Sequence, residues 1–172
     1  MTLQSSDFEI FGLAPQFAID RSALDARWKD LQREAHPDRF ATADAQAQRQ
    51  AMQWSVRINE AYQRLKDPIK RATYLCELNG APVGAESNTA MPAAFLMQQM
   101  QWREDLEEAG GAADLERMAQ EVALARKGML EALRVAADER RDFPALAQQV
   151  RALMFVERFA GDVEHRLDQL GQ

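Results

Sequence analysis

The tripeptide His36-Pro37-Asp38 combines three residue types that suit recognition of a partner protein. Pro37 fixes its own backbone and restricts that of His36, so the loop should lose little conformational entropy when a partner binds. The Asp38 carboxylate can accept a bidentate pair of hydrogen bonds from a partner's arginine. Four basic residues are expected to surround this acid, three before the tripeptide and one after it: Arg27, Lys29, Arg33 and Arg39.

Taken alone, the tripeptide has a simpler explanation, a plain turn in which Asp38 caps the following helix. The surrounding pattern predicts two amphipathic helices. Asp20 should cap the first, which ends near Ala35 because the residue before a proline is pushed out of the α region. The second should begin after Ala41 and run to about Leu65, antiparallel to the first. The predicted inward residues are Leu24, Trp28, Leu31 and Ala35, then Ala51, Trp54, Ile58, Ala61, Tyr62 and Leu65.

A short third helix should follow Asp67 and reach Leu78, and three further helices are predicted over about 92–109, 114–140 and 144–170. Strand signals are nearly absent, so the fold class is predicted to be all-α. Short turns would make the last three helices antiparallel neighbours, and a three-helix bundle is their natural packing. The inward residues of the last two are expected to be Leu115, Met118, Val122, Met129 and Ala136, then Leu153, Val156, Phe159, Val163 and Leu167.

The segment Asn79-Gly80-Ala81-Pro82-Val83-Gly84 is the clearest break in the helical pattern. Its glycines and its proline end one helix and discourage the next. The predicted organisation is therefore a first domain over 1–80, a linker over 81–91 and a three-helix bundle over 92–172.

Composition limits the possible partners and compartments. The 172-residue chain has a net charge of −6, which disfavours nucleic acid as a partner. The single cysteine, Cys76, cannot form an internal disulfide, and residues 1–11 lack the basic start and apolar run of a signal peptide. No stretch approaches the ~18 apolar residues of a membrane span. We therefore expect a cytoplasmic protein with neither a nucleic-acid nor a membrane partner.

An enzyme is the competing class, but the sequence lacks the groups that it would need. The two histidines, His36 and His165, are not in an HExxH zinc motif, and there is no CxxC pair or Gly-rich phosphate loop. His165 is expected to be solvated. Cys76 lies in an apolar helix without a nearby histidine, so a buried thiol is expected rather than a nucleophile. No catalytic residue, metal or cofactor is predicted.

The helix predicted from Pro92 carries two apolar faces. At about 100° per residue, Phe95, Trp102 and Leu106 fall within roughly 40° of each other and form a core stripe. A surface helix of a bundle needs only one such stripe. A second one, rich in methionine and edged by acids, indicates a protein-binding surface, unless another helix of the bundle covers both. The second stripe consists of Leu96, Met97 and Met100, is extended by Glu104 and Glu108, and is bordered by Gln101.

Several motifs in order resemble a J-domain. The tripeptide lies in the segment LQREAHPDRF, which is followed by INEAYQRLKDP and then by Arg71-Ala72. The resemblance extends over nearly the whole chain to the HscB family, through FEIFGL near the start, RATYL with the following LNG, and TAMPAAFLMQQM with the following REDL. In that family the J-domain stimulates ATP hydrolysis by the DnaK-class chaperone HscA, and the C-terminal bundle binds the iron–sulfur scaffold protein IscU.

The resemblance implies a non-enzymatic co-chaperone with an N-terminal J-domain joined to a C-terminal three-helix bundle. His36, Pro37 and Asp38 take the ATPase-contacting role. Asp25, Asp30 and Glu34 dilute the basic helix before them, which fits a dedicated partner; the alternative is a co-chaperone of a general DnaK chaperone with another client. Gln101 stands where relatives often have a glutamate. The implied scaffold-binding residues are Leu96, Met97, Met100, Gln101, Glu104, Glu108 and Phe155.

Overall fold

The computed structural model describes residues 1–85 and 91–171. Within these residues the chain contains helices and no strand, which confirms the predicted all-α class. The α-helices are α1 (Asp7–Ile10), α2 (Arg21–Ala35), α3 (Ala45–Lys66), α4 (Pro68–Leu78), α5 (Ala93–Glu108), α6 (Ala112–Arg134) and α7 (Phe143–Leu170), with a 3₁₀ turn over Pro37–Phe40 and a π turn over Val135–Glu139.

The backbone forms two compact units, Met1–Leu75 and Cys76–Gln172, whose division lies inside α4. The domain boundaries stay a prediction, with a first domain over 1–80, a linker over 81–91 and a bundle over 92–172. Residues 86–90 of the predicted linker lie outside the described residues.

The segment after α4 is ordered within the second unit. Gly80 ends the helix in the left-handed region (φ 71°), and the Ala81 N–H donates to the Cys76 carbonyl oxygen at 2.9 Å. Val83 is buried, and its carbonyl oxygen accepts a 2.8 Å hydrogen bond from Nη1 of Arg151, which is itself buried.

In the first unit, α2 and α3 form the predicted hairpin. Asp20 caps α2 by accepting from two backbone N–H groups. The Tyr62 hydroxyl donates to Asp25 at 2.7 Å, and the Ser55 hydroxyl donates to Gln32 at 3.0 Å, so the two helices run antiparallel. Most predicted inward residues are buried, whereas Trp28, Ala35 and Trp54 are only partly so.

A buried ion cluster that was not predicted from the sequence holds the N-terminal segment. Asp7 in α1 has no exposed surface. Its carboxylate lies 2.8 Å from Nη2 of Arg57 and 3.2 Å from Nε of Arg64. Arg57 also donates to the carbonyl oxygens of Leu3 and Ser5, both at 2.9 Å. These contacts attach the chain before α1 to α3.

In the second unit, α5, α6 and α7 form the predicted three-helix bundle. Trp102 of α5 stacks on Phe159 of α7, with ring centroids 5.4 Å apart, and Nη1 of Arg166 donates to the Leu106 carbonyl oxygen at 2.9 Å. The residue that is later in α5 contacts the residue that is later in α7, so these two helices run parallel. The intervening helix α6 runs in the opposite direction. Among the predicted inward residues, Met129 and Leu167 are only partly buried.

The helix predicted over 114–140 is helical as far as Glu139, but its last turn is π-helical over Val135–Glu139. The Arg140 N–H bonds to the Val135 carbonyl oxygen at 2.9 Å, five residues back. This wider turn buries both Ala136 and Ala137, and Arg141 follows in the left-handed region (φ 49°). An inward stripe spaced for an α-helix does not reveal such a change of pitch.

Candidate protein-binding sites

The HPD loop (His36, Pro37 and Asp38) is shaped by its own backbone. His36 is extended (φ −62°, ψ 131°) and ends α2, after which Pro37 begins the 3₁₀ turn. The Asp38 N–H donates to Nδ1 of His36 at 3.2 Å, and the Arg39 N–H donates to the His36 carbonyl oxygen at 3.0 Å. The loop therefore has a defined backbone before any partner binds.

The Asp38 carboxylate has no capping role. Asp44 caps α3 instead, by accepting from the Ala47 N–H at 2.8 Å, so the simple explanation that Asp38 caps the second helix is wrong. The Asp38 side chain is 92% exposed, and Oδ2 lies 3.6 Å from Nδ1 of His36. A carboxylate so placed is accessible to an arginine of another protein.

The structure gathers only some of the basic residues that were predicted around the loop. Lys29 and Arg33 are exposed and one turn apart on α2, where they share a face. Arg27 is partly buried and lies roughly 160° away from Lys29 around the helix. Arg39 is exposed and follows Asp38 in the 3₁₀ turn.

A polar and aromatic network that was not predicted from the sequence supports this face of α2. Trp28 stacks on Tyr62 with ring centroids 4.5 Å apart, and Lys66 lies 5.2 Å from the centroid of the Tyr62 ring. Two hydrogen bonds lower the pKa of Asp25, and the one from Arg21 has a larger effect than the one from Tyr62. In the sequence, only the i, i+4 spacing of Arg21 and Asp25 could have indicated this network.

On α5, the bundle covers one apolar stripe and leaves the other open. Trp102 is buried, while Leu96, Met97 and Met100 are 43%, 72% and 66% exposed. The idea that the other helices cover both stripes is therefore wrong. Phe95, which was predicted to be core, is only partly buried. We call the open face the α5 surface; it comprises Leu96, Met97, Met100 and the exposed Gln101, Glu104 and Glu108.

The polar half of the α5 surface continues the apolar half along the same face. Met97, Gln101, Glu104 and Glu108 lie within roughly 60° of each other around the helix. Nε2 of Gln101 donates to Oδ1 of Asp105 at 2.9 Å, so this side chain is directed along the helix.

Phe155 of α7 is partly buried, and the Arg158 guanidinium lies 5.3 Å from the centroid of its ring. Because Trp102 stacks on Phe159 and the two helices run parallel, Phe155 is level with the N-terminal half of α5. It is therefore placed along the bundle at the height of the exposed methionines.

Among the described residues, no three His, Cys, Asp or Glu side chains are arranged to hold a metal ion. Cys76 is buried as predicted, and burial raises the pKa of its thiol to about 11. His165 is exposed, as expected of a solvated side chain. No helix in the described part of the chain has the length and apolar character to cross a membrane.

The chain is similar to known proteins over almost its whole length. Residues 91–164 match a family described as the HSCB C-terminal oligomerisation domain. The co-chaperone protein HscB homolog of Bordetella petrii is 50% identical over 157 residues, covering 91% of this chain and 92% of that protein. Its counterpart in Burkholderia multivorans is 47% identical over 173 residues, covering 99% and 98%. This chain belongs to the HscB co-chaperone family.

The solved structure of the chaperone HscB from Vibrio cholerae has the same fold, with a TM-score of 0.80 and 36% identity over 96% of this chain and 99% of that one. The HscB relationship confirms the predicted J-domain and C-terminal helical bundle. It also confirms a co-chaperone role, with a chaperone as partner. HscB proteins are a non-enzymatic family, so the prediction that the chain is not an enzyme is confirmed too.

Proposed function

We propose that this HscB-family protein stimulates the ATPase of the DnaK-class chaperone HscA through its HPD loop, and delivers the iron–sulfur scaffold IscU to HscA for cluster maturation or transfer. The observation that carries the proposal is the Asp38 carboxylate, which is 92% exposed and not used to cap α3. An exposed acid beside a fixed proline turn is suited to a partner's arginine.

The chaperone-binding site in this proposal consists of the HPD loop and the basic residues around it. Lys29 and Arg33 give α2 a basic face that would meet an acidic surface of the chaperone and speed association. Arg39 adds a charge next to Asp38. Arg27 is assigned the weakest contribution because it lies on another side of the helix and is partly buried.

The scaffold-binding site in this proposal is the α5 surface together with Phe155. Three adjacent apolar side chains stay exposed on a helix whose opposite face is anchored by Trp102, and such a surface favours burial against a partner. Glu104 and Glu108 would contribute charge at the edge of the interface, where charge affects association rate and specificity more than affinity. We place the protein in the cytoplasm, in keeping with the absence of a membrane-crossing helix from the described residues.

A second candidate is service to a general DnaK chaperone with another client. Asp30 lies 3.6 Å from Nη1 of Arg33, and Asp25 accepts from Nε of Arg21 at 2.8 Å, so two acids neutralise part of the basic face of α2. This mixed charge favours a dedicated partner. Comparing ATPase stimulation of HscA and of DnaK by the same preparation would distinguish the two.

The test of the loop is Asp38→Asn, with Glu34→Gln as the matched control. Both replace an exposed carboxylate by an amide near the end of α2, but only the first changes the tripeptide. We expect Asp38→Asn to unfold at the parent's temperature and to lose stimulation of HscA, because an amide cannot replace the carboxylate in an arginine pair. Full stimulation by Asp38→Asn would refute the loop assignment.

A further inference from the structure

Met97 and Met100 are exposed residues within the α5 surface. The two residues are 72% and 66% exposed, whereas Met118 in α6 is 5% exposed. They are three positions apart in the sequence, so they lie side by side on successive turns of α5. Each thioether is therefore accessible to a small oxidant at the same place where a partner would need an apolar surface.

We propose that Met97 and Met100 form a reversible oxidation site through which a peroxide controls binding at the α5 surface. This inference rests on the proposed function, in which the α5 surface binds the scaffold. It adds a regulatory state to that surface, an oxidised form that leaves the fold intact and does not bind.

The reaction is a two-electron oxygen transfer. The thioether sulfur attacks one oxygen of hydrogen peroxide, the S–O bond forms and the O–O bond breaks. The leaving hydroxide takes the proton of the transferred hydroxyl and departs as water. The sulfur loses two electrons, the peroxide gains them, and the product is methionine sulfoxide, which methionine sulfoxide reductases return to the thioether.

Oxidation should change the surface without changing the bundle. A sulfoxide is polar and hydrated, so burying it against a partner no longer gives the benefit of burying a thioether. The core stripe lies on the other side of α5, where Trp102 stacks on Phe159 at 5.4 Å. Since Met97 and Met100 are exposed, the new oxygen atoms enter solvent and do not strain that packing.

The chain provides its own controls. Met1 and Met52 are 73% and 53% exposed in the first unit, so they should oxidise as well but should not affect scaffold binding. Cys76 is buried, and its thiol pKa is raised to about 11, so it carries little of the reactive thiolate. Buried Met118 should remain reduced, which would report that the bundle stays folded.

The experiment treats the full-length protein with hydrogen peroxide, removes the oxidant with catalase, maps sulfoxides by peptide mass spectrometry and titrates IscU. The test variant is Met97→Leu/Met100→Leu, which keeps apolar volume without sulfur. Met52→Leu is the matched control. We expect oxidised parent and oxidised Met52→Leu to bind IscU about tenfold or more weakly than before. Peroxide treatment should not change the affinity of the double variant from the value measured for that variant before treatment. Reductase treatment should restore the binding of the parent.

The outcomes separate this inference from the function on which it rests. Failure of the untreated parent to bind IscU would overturn the proposed function and the oxidation site with it. Strong binding both before and after conversion of Met97 and Met100 to sulfoxides would overturn the oxidation site alone. So would a loss of binding by the oxidised double variant as large as that of the parent, or the absence of sulfoxide at both positions.

Discussion

The HPD loop and the α5 surface are both exposed, but they are built in opposite ways. The loop has one carboxylate held by a short backbone turn, in which the Asp38 N–H bonds to the His36 ring at 3.2 Å. The α5 surface has several flexible apolar side chains on a long helix whose other face is packed against α7. A contact that depends on one charged group should fail with one atomic change, whereas a broad apolar surface should weaken gradually.

The largest expected effect separates the two faces of α5. Trp102→Ala should lower the free energy of unfolding of the second unit by about 3–5 kcal/mol, since it removes a buried aromatic side chain. Phe95→Ala should cost clearly less, because Phe95 is only partly buried. Chemical denaturation of both variants measures the difference. Equal losses would show that Phe95 belongs to the core as fully as Trp102 does.

The next effect concerns the α5 surface itself. The variant Leu96→Ala/Met100→Ala/Phe155→Ala should lose about 2 kcal/mol or more of scaffold-binding free energy if these residues are hot spots. The exposed residues Leu96 and Met100 should contribute little to the stability of the fold, so the bundle of the triple variant should melt near the parent's temperature. Titration calorimetry and thermal melts check this. A variant that melts early yet binds normally would mean that these residues are ordinary core.

The single substitutions should sharpen the same comparison. Leu96→Ala or Met100→Ala alone should weaken scaffold binding only partly, whereas Asp38→Asn alone should abolish stimulation of the chaperone. The reason is that neighbouring side chains of the α5 surface can adjust, while the loop has a single acid. Binding constants of the single and triple variants test this, and complete loss of binding in one single variant would contradict it.

The smallest effect is an acid sensitivity of α2, next to the loop. The Arg21 hydrogen bond, with that from Tyr62, lowers the pKa of Asp25 in the folded state. The unfolded state therefore binds a proton at Asp25 more readily than the folded state does. The stabilisation from the ionised carboxylate is fully present above the ordinary pKa of 3.8, and it is lost as the pH falls through the pKa of Asp25 in the folded state. Between pH 5 and pH 3, the melting temperature of the parent should fall more than that of Asp25→Asn. Parallel curves would show that the network contributes nothing.

Much of the fold could be predicted because its signals are local. Asp20 caps α2 and Pro37 follows its end, as their chemistry requires, and the stripe around Ile58 and Leu65 identified the buried face of α3. The tripeptide could be assigned because its motif is short and contiguous.

Other features could not be predicted because they depend on tertiary context. Asp7 looks like an ordinary polar residue near the N-terminus, and only folding brings Arg57 and Arg64 to it. The π turn replaces an α-helical turn without any change in residue type that marks it. At the sites, periodicity separated the two stripes of α5 but could not give the exposure of Phe95. The spacing of two residues already placed Arg27 on another side of α2 from Lys29, and this signal was overlooked.

The most direct test of the proposed function is a mixing experiment, because the proposed delivery requires both surfaces on one chain. HscA turnover is measured with IscU present, using Asp38→Asn, the triple α5 variant, or an equal mixture of the two. In the proposed function, Asp38→Asn retains only the α5 surface for binding the scaffold, and the triple variant retains only the loop. We expect the mixture to give no more stimulation than the triple variant alone, well below the parent. Restoration of the parent's rate by the mixture would contradict delivery by a single molecule.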